Sequence, residues 1–557
     1  MKKIFLLFSF LLLVSRPLTA GTVTVFHTSD VHGAYSAHKA GKAFGADSSR
    51  MIGGFPVLKS YLDAYKTPYI LLDSGDTFQG TPEGIVSKGI ASAEFMNLLH
   101  YDAMTAGNHD FDYGSDSFKN FVRHLGFPML VANLFYVEGY AENPVRPDYV
   151  RPYVIIKKAG EKIAVIGLAG MHTATSTKPE NVAGLLFENE AVVAESLVRE
   201  VREKEKPDAV IVLLHNGING VGDISGKVID ISGDDSYSAE GPLSGITVAR
   251  AAKGIAAFDR DADPAKYKEN MEKKDGTAGI DLILGGHEHT GLLKGYFDKE
   301  TGTWFGESFT KLDYVTKADL NFDDKTGKLT GIKVELVPLW QDQYGENRKA
   351  LKLVEKYQKK VKAQMSEVVG RTAFDMEVDR GGLDSPVANW VCDVTREEVG
   401  ADMAFQNTGG IRSDIKAGDI TLRDIYQVMP FDNTIYTLKM TGAAVTELIK
   451  DNLQDAGVTT MQISGITVEY RVGEHDEPVD LKVMYKGKEI DPKEIYSVST
   501  NDYLVNGGDG GAAFRKYGTD IVNTGFGVRE AMIKSLEPTL KDGPLGRYET
   551  GRFKELK

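Results

Sequence analysis

The chain runs to 557 residues with a formal net charge of −14, 42% hydrophobic residues and 26% charged residues. Such a length exceeds what one core supports and predicts two or three domains, and the composition excludes a disordered or fibrous protein. The acidic balance argues against a basic nucleic-acid-binding face, so no nucleic-acid polymer is expected as a partner, while a small anion still suits a pocket made locally positive by metals and arginines.

Lys2 and Lys3 precede the apolar run Ile4–Val14, followed by Arg16, Pro17 and Leu18-Thr19-Ala20. This is the plan of a secretory signal peptide, residues 1–20, with cleavage after Ala20. The run is too short to span a bilayer. An exported protein is expected, periplasmic or secreted and soluble after cleavage, with no membrane span and no obligate protein partner indicated. Cys392 is the single cysteine, which excludes an internal disulfide and a thiolate metal cage.

From Thr22 onward, short apolar runs alternate with amphipathic segments. Strands are predicted at Val23–Phe26, Tyr69–Leu72, Ala103–Thr105, Ile163–Leu168, Ala209–Leu214 and Ile280–Leu284. Their Val/Ile/Leu content without strict alternation suggests burial on both faces. Ala91–His100 and Asn189–Lys204 read as helices, which makes an α/β layered domain over residues 21–341. Gly217–Pro242, rich in Gly, Asp and Ser, reads as an exposed insertion. The lysine-rich helical pattern at Asp342–Ser366 reads as a linker helix, and residues 367–557 form a second, mixed α/β domain.

Polar residues cluster immediately after the predicted strands. Val23–Phe26 leads into His27-Thr28-Ser29-Asp30-Val31-His32, and Tyr69–Leu72 into Asp73-Ser74-Gly75-Asp76. Ala103–Thr105 leads into Ala106-Gly107-Asn108-His109-Asp110-Phe111-Asp112, Ala209–Leu214 into His215, and Ile280–Leu284 into Gly285-Gly286-His287-Glu288-His289. Ligands of α/β sheets bind at the carboxyl ends of strands, so five segments deliver Asp, Asn and His to one rim. Taken singly each has an ordinary explanation: Asp76 as a turn residue, Asn108 as a helix cap, His215 as a hydrogen-bonded structural histidine. Their joint occurrence in this order points to a metal site. Two metals about 3.5–4 Å apart clamp the attacking and leaving oxygens of a phosphoryl displacement, and nitrogen and oxygen donors without sulfur suit Zn²⁺, Mn²⁺ or a similar divalent ion.

This arrangement resembles the calcineurin-like metallophosphoesterases and, among them, the 5′-nucleotidases. The resemblance implies a four-layer α/β/β/α catalytic domain joined by the linker helix to a C-terminal substrate-binding domain. It also implies two divalent metal ions. Asp30, His32, Asp76 and His289 would hold one; Asp76, Asn108, His215 and His287 would hold the other, with Asp76 bridging. His109 would stabilise the transition state and Asp112 would orient it, leaving Asp73, Asp110 and His27 as supporting groups. The first motif of that family usually has Asn where Ser29 stands, a position that is not a ligand.

Three later motifs resemble the family's substrate-binding domain: Gln406–Arg412, Met429–Thr434 and Asn501–Gly511. By that resemblance Phe431 and Tyr503 would sandwich a nucleobase, Asp509 would take the ribose hydroxyls, and Asn407 and Arg412 would meet phosphate, with Arg380 as a further contact. The expected activity is removal of phosphate from nucleoside 5′-monophosphates, with UDP-sugars or other nucleotide diphosphates as further substrates. A 2′,3′-cyclic-nucleotide phosphodiesterase with 3′-nucleotidase activity is the nearest rival, and a non-catalytic nucleotide-binding surface protein a remote one.

Overall fold

The computed structural model describes residues 21–40, 42–218, 226–232, 245–254, 279–379, 382–454, 461–473 and 477–556. The signal-peptide segment, Arg380 and most of the Gly217–Pro242 insertion lie outside the described residues.

Two sheets form the centre of the first domain. One has the order Leu329–Pro338, Tyr314–Phe322, Thr22–Thr28, Tyr69–Asp73, Ala103–Met104; the other runs Tyr296–Asp298, Thr303–Glu307, Leu282–Gly285, Ala209–Leu214, Glu161–Leu168, Tyr153–Lys158. Inside each sheet the strands that carry the polar clusters pair in parallel with one another. Their apolar runs are continuous because both faces are covered. Ala209, Ile211 and Leu213 join Val23, Val25, Ile70 and Leu72 in the core between the sheets. Val210, Val212 and Leu214 face the other way, packing with Ala194, Val198 and Val201 of helix Glu190–Glu205. On the far side, Phe26 and Leu71 pack against helices Phe55–Ala64, Ile90–Leu99 and Ser115–His124. The layers are therefore α/β/β/α. Each fully buried Val, Leu or Ile contributes roughly 1.5–3 kcal/mol, and successive residues of one strand stabilise different layer contacts because side chains alternate.

Helix boundaries follow local chemistry. Asn189 caps the helix Glu190–Glu205 by accepting from the backbone N–H of Ala191 and Val192 at 2.9 and 3.3 Å. The helix Arg348–Met365 buries a narrow stripe. Its Val354 and Tyr357 belong to the first domain's core, whereas Val361 and Met365 belong to that of the second. One helix is thus built into both cores.

In the second domain a five-stranded sheet is ordered Met461–Ser464, Met403–Asn407, Ile495–Asn501, Thr434–Thr441, Thr519–Gly527, beside a four-stranded sheet that includes Ile466–Val472 and Phe553–Glu555. Helices Pro386–Val399, Leu422–Val428, Gly442–Gln454 and Val528–Leu536 cover them. The three late motifs follow Met403–Asn407, Leu422–Val428 and Ile495–Asn501, at strand or helix ends that face the first domain's rim.

Candidate metal centre and substrate cleft

The carboxyl ends of the two central sheets meet. The first sheet contributes Asp30, His32, Asp76 and Asn108, and the second contributes His215, His287 and His289. Ligand atoms of Asp30, His32 and His289 lie within 4.8 Å of one another, as do those of Asp76, His215 and His287. The same Asp76 oxygen, Oδ2, lies 3.3 Å from His215 Nε2 and 4.0 Å from His32 Nε2, between the two groups. Asn108 Oδ1 lies 3.2 Å from His215 Nε2 and 3.0 Å from His287 Nδ1.

These side chains are aimed by unusual backbone. Asp30, His32, Asp76, His287 and His289 all have positive φ, between 48° and 74°, a region that non-glycine residues enter at a cost of order 1–3 kcal/mol each. Surrounding hydrogen bonds hold them there. Asp30 O accepts from Lys311 N and Thr310 Oγ1, both at 2.8 Å. Asp110, nearly solvent-free, ties two of the loops together: its carboxylate accepts from the backbone N–H of Asp76, Thr77 and Gly107 at 3.0, 3.1 and 2.9 Å. Gly107 permits the closest approach, since a Cβ there would stand 2.2 Å from Asp76 Oδ1 and 2.6 Å from His215 Cε1.

The donor set fits divalent cations. His32 Nδ1 is 2.8 Å from the carbonyl of Gln79, and His215 Nδ1 is 2.6 Å from that of Ser74. A carbonyl only accepts, so each Nδ1 carries a proton and each Nε2 is aimed inward, the orientation a metal requires once any proton on Nε2 is released. His32 Nε2 then faces His289 Nε2 at 2.8 Å, two nitrogens drawn to one point. Electrostatics agree. Burial pushes Asp30 up to about 7, a rise that His215 tempers and Asp76 reinforces. Burial disfavours charge on His215 too, but the carboxylates of Asp76 and Asp30 raise it to about 10. Asp76 is held well below the usual carboxylate range because His215, His109 and His32 outweigh its burial. Protons thus occupy positions that cations would take, so loading would release them.

His109 Nδ1 lies 2.9 Å from Asp112 Oδ2. Burial opposes its protonation, but Asp112 and Asp76 outweigh it and raise the histidine's pKa. Its Nε2 is 3.2 Å from Arg412 Nη2 of the second domain, and its ring stacks on Phe431 at 5.1 Å. The Arg412 guanidinium also lies 5.3 Å from the Phe431 ring. Asp509 accepts from Tyr503 Oη at 3.1 Å and from Asn407 Nδ2 at 2.9 Å. One face of Tyr503 is covered by the backbone of Gly508, whose Cβ, if present, would fall 2.3 Å from the ring. All these groups line one cleft of about 1430 Å³ between the domains, together with His32, Asn108, His287 and His289. Asp30, Asp76 and His215 are buried behind it. Arg380 lies outside the described residues. Of the supporting groups, His27 Nε2 is 2.9 Å from Ser74 Oγ, and Asp73 accepts from Thr28 Oγ1 at 2.6 Å.

Sequence reasoning passed over His172, whose ring packs on His287 with centroids 3.9 Å apart. It also missed Thr177, whose hydroxyl donates to Asp112 Oδ1 at 3.0 Å. His172 stands in the segment just after the strand Glu161–Leu168, so the strand-end pattern could have marked it; Thr177 lies farther along the same loop, where no local pattern does.

Comparison with known proteins identifies the two domains. Residues 23–291 match the model of the calcineurin-like phosphoesterases, and residues 367–516 match that of the 5′-nucleotidase C-terminal domain. The chain belongs to the 5′-nucleotidase family of metallophosphoesterases. This phosphoesterase is 27% identical to the protein UshA of Escherichia coli strain K12, over 93% of its own length and 91% of that of UshA. It is 26% identical to a 5′-nucleotidase of Vibrio parahaemolyticus, with coverage of 93% and 90%. In structure it resembles a 5′-nucleotidase precursor from Thermus thermophilus, with a TM-score of 0.74, 23% identity and coverage of 96% and 100%. It also resembles the Thermus thermophilus sulfate thiohydrolase SoxB, with a TM-score of 0.71, 16% identity and 96% of each chain covered. The fold therefore does not by itself choose the bond that is cut; membership of the family makes the chain a hydrolase of phosphate esters. Among the described residues, no helix is long and apolar enough to cross a membrane.

Proposed function

We propose that this phosphoesterase removes phosphate from nucleoside 5′-monophosphates outside the cytoplasm, using two divalent cations, Zn²⁺ or Mn²⁺. Residues 1–20 serve as the export signal, residues 342–366 link the two domains, and UDP-sugars or other nucleotide diphosphates are secondary substrates. The observation that carries the reading is one cleft lined by His32 and His289 of one ligand group, Asn108 and His287 of the other, His109 and the Phe431–Tyr503–Asp509 set, with Asp30, Asp76 and His215 directly behind it.

In this assignment Asp30, His32 and His289 hold one cation, Asn108, His215 and His287 the other, and Asp76 serves both. The cations supply Lewis acidity and neutralise charge for attack of water on phosphorus. His109, held by Asp112, offers its Nε2 to a phosphoryl oxygen and stabilises the charge that grows there. Arg412, already beside that nitrogen, adds a planar fork for phosphate oxygens. Phe431 and the open face of Tyr503 stack on the base, and Asp509 accepts from the ribose diol while Asn407 keeps the carboxylate in place. Arg380 is assigned to phosphate on resemblance alone.

Initial rates on 5′-AMP, 3′-AMP, cyclic 2′,3′-AMP and UDP-glucose, with metal analysis of the purified protein, test the assignment. Fastest turnover of 5′-AMP with about two bound divalent ions per chain is expected. Preference for the cyclic or 3′-nucleotide would replace it with the 2′,3′-cyclic-nucleotide phosphodiesterase reading. The amino-terminal sequence of the protein recovered from the periplasm or medium tests the export signal.

A further inference from the structure

One short stretch of the first domain, Ser176-Thr177-Lys178, contacts a metal-site residue, the partner of His109 and the two segments that carry the aromatic rings. The carbonyl of Ser176 accepts from Asn108 Nδ2 at 3.3 Å, which turns the Asn108 oxygen toward His215 and His287. The buried Thr177 hydroxyl donates to Asp112 Oδ1 at 3.0 Å, leaving Asp112 Oδ2 for His109. Asn181, from the same loop, donates to the backbone carbonyl of Asp112 at 2.8 Å. The next side chain reaches across the cleft. Lys178 Nζ donates to the carbonyl of Asp432 at 2.6 Å and pairs with Asp502 Oδ2 at 2.8 Å. Asp432 follows Phe431 and Asp502 precedes Tyr503. Asp502 is fixed in turn by Asn433 Nδ2 at 2.6 Å and Thr434 Oγ1 at 3.2 Å.

We propose that Thr177 and Lys178 are positioning residues that couple the seating of the nucleoside to the orientation of His109. This inference rests on the proposed roles of the His109–Asp112 pair and of Phe431 and Tyr503. An ammonium that ties together the two segments bearing the aromatic rings responds to how the base sits between them. The peptide bond to Thr177 passes any displacement directly to the group that fixes Asp112. The hydrogen bond from Thr177 to the carboxylate and that from Asn181 to the backbone carbonyl leave Asp112 little freedom to move except with this loop. A phosphate ester without a base engages only the His109 half of the strap, whereas a nucleotide engages both.

The test compares AMP with p-nitrophenyl phosphate on the full-length, metal-loaded protein. Lys178→Met is expected to lower the ratio of kcat/KM for AMP to that for p-nitrophenyl phosphate by about ten-fold or more. Thr177→Val is expected to lower kcat for both substrates by about ten-fold or more with KM changed less than about two-fold, and Thr177→Ser, which restores the hydroxyl, to return most of that loss. If Thr177→Val does not fold, Thr177→Ala takes its place. Asp112→Asn separates the two layers of the argument. Full activity of that variant would overturn the role given to His109 and Asp112. A damaged Asp112→Asn beside an unchanged substrate ratio in Lys178→Met and unchanged kcat in Thr177→Val would overturn the coupling alone. A loss in Thr177→Ser equal to that in Thr177→Val would likewise overturn it.

Discussion

The substitution Gly107→Ala asks most directly whether the two ligand groups depend on the backbone packing beneath them. Gly107 does not have positive φ, so alanine fits its backbone and only the new methyl matters. That methyl would lie 2.2 Å from Asp76 Oδ1, 2.6 Å from Asp76 N and 2.6 Å from His215 Cε1. Ordinary contact begins near 3.4 Å, so Asp76 or the 107 backbone must move by about 1 Å. Overpacking of this kind costs about 1–3 kcal/mol. The effect on chemistry should be larger, because Asp76 Oδ2 stands between both groups, metal sites tolerate ligand errors of only about 0.2 Å, and a shift near 1 Å costs about 100-fold in rate. Gly331→Ala is the control: its Cβ would meet nothing within 4 Å. Metal content by mass spectrometry, a denaturant titration and AMP hydrolysis together read the outcome. We expect Gly107→Ala to lose one cation and about 100-fold in kcat while Gly331→Ala changes neither. Two tightly bound cations and kcat within about two-fold of wild type in Gly107→Ala would refute the reasoning.

Other consequences follow from the same geometry. Chelation should abolish AMP hydrolysis and re-addition of Zn²⁺ or Mn²⁺ restore it, whereas Asp76→Asn and His287→Ala should not recover on metal addition; recovery of either variant would show that its side chain is not a ligand. Tyr503→Ala should raise KM for AMP by the equivalent of about 1–3 kcal/mol of lost stacking without raising KM for p-nitrophenyl phosphate, and equal effects on both substrates would remove Tyr503 from the base pocket. Burial pushes Glu190, the first residue of its helix, up to about 7, and its carboxyl accepts from Met171 N at 2.7 Å. Because the folded pKa is raised, its favourable contribution is full below the unfolded value of 4.5 and is lost as pH rises through about 7. Glu190→Gln keeps the acceptor and removes the charge, so its stability relative to wild type should climb between those pH values and level off above, by up to about 3 kcal/mol; a difference independent of pH, measured by denaturation from pH 4 to 8, would contradict the assignment.

Much of the architecture was legible in the one-dimensional chain, for reasons that can be traced. Runs such as Ala209–Leu214 are apolar throughout because both faces of the strand are covered, and that signature survives without coordinates. The polar clusters behind those runs pointed to one rim because parallel strands end together. Sequence position alone did not say that the second face of each sheet packs on another sheet; the four-layer arrangement was expected only from resemblance. Nor did the pattern of Arg348–Met365, lysine-rich and spaced for a helix, reveal that its apolar stripe divides between two cores.

What the chain determined by itself was the inventory: which side chains can bind a cation, in what order, and after which strands. Residue chemistry and strand periodicity are local properties, so they read directly from the sequence. What only the tertiary structure decided was who meets whom. Asp76 stands beside both His215 and His32, Gly107 presses on Asp76, Thr177 holds Asp112, and Lys178 crosses to Asp432 and Asp502, all through contacts between segments far apart in the chain. Such pairings depend on how sheets and domains pack, and no short-range pattern encodes them.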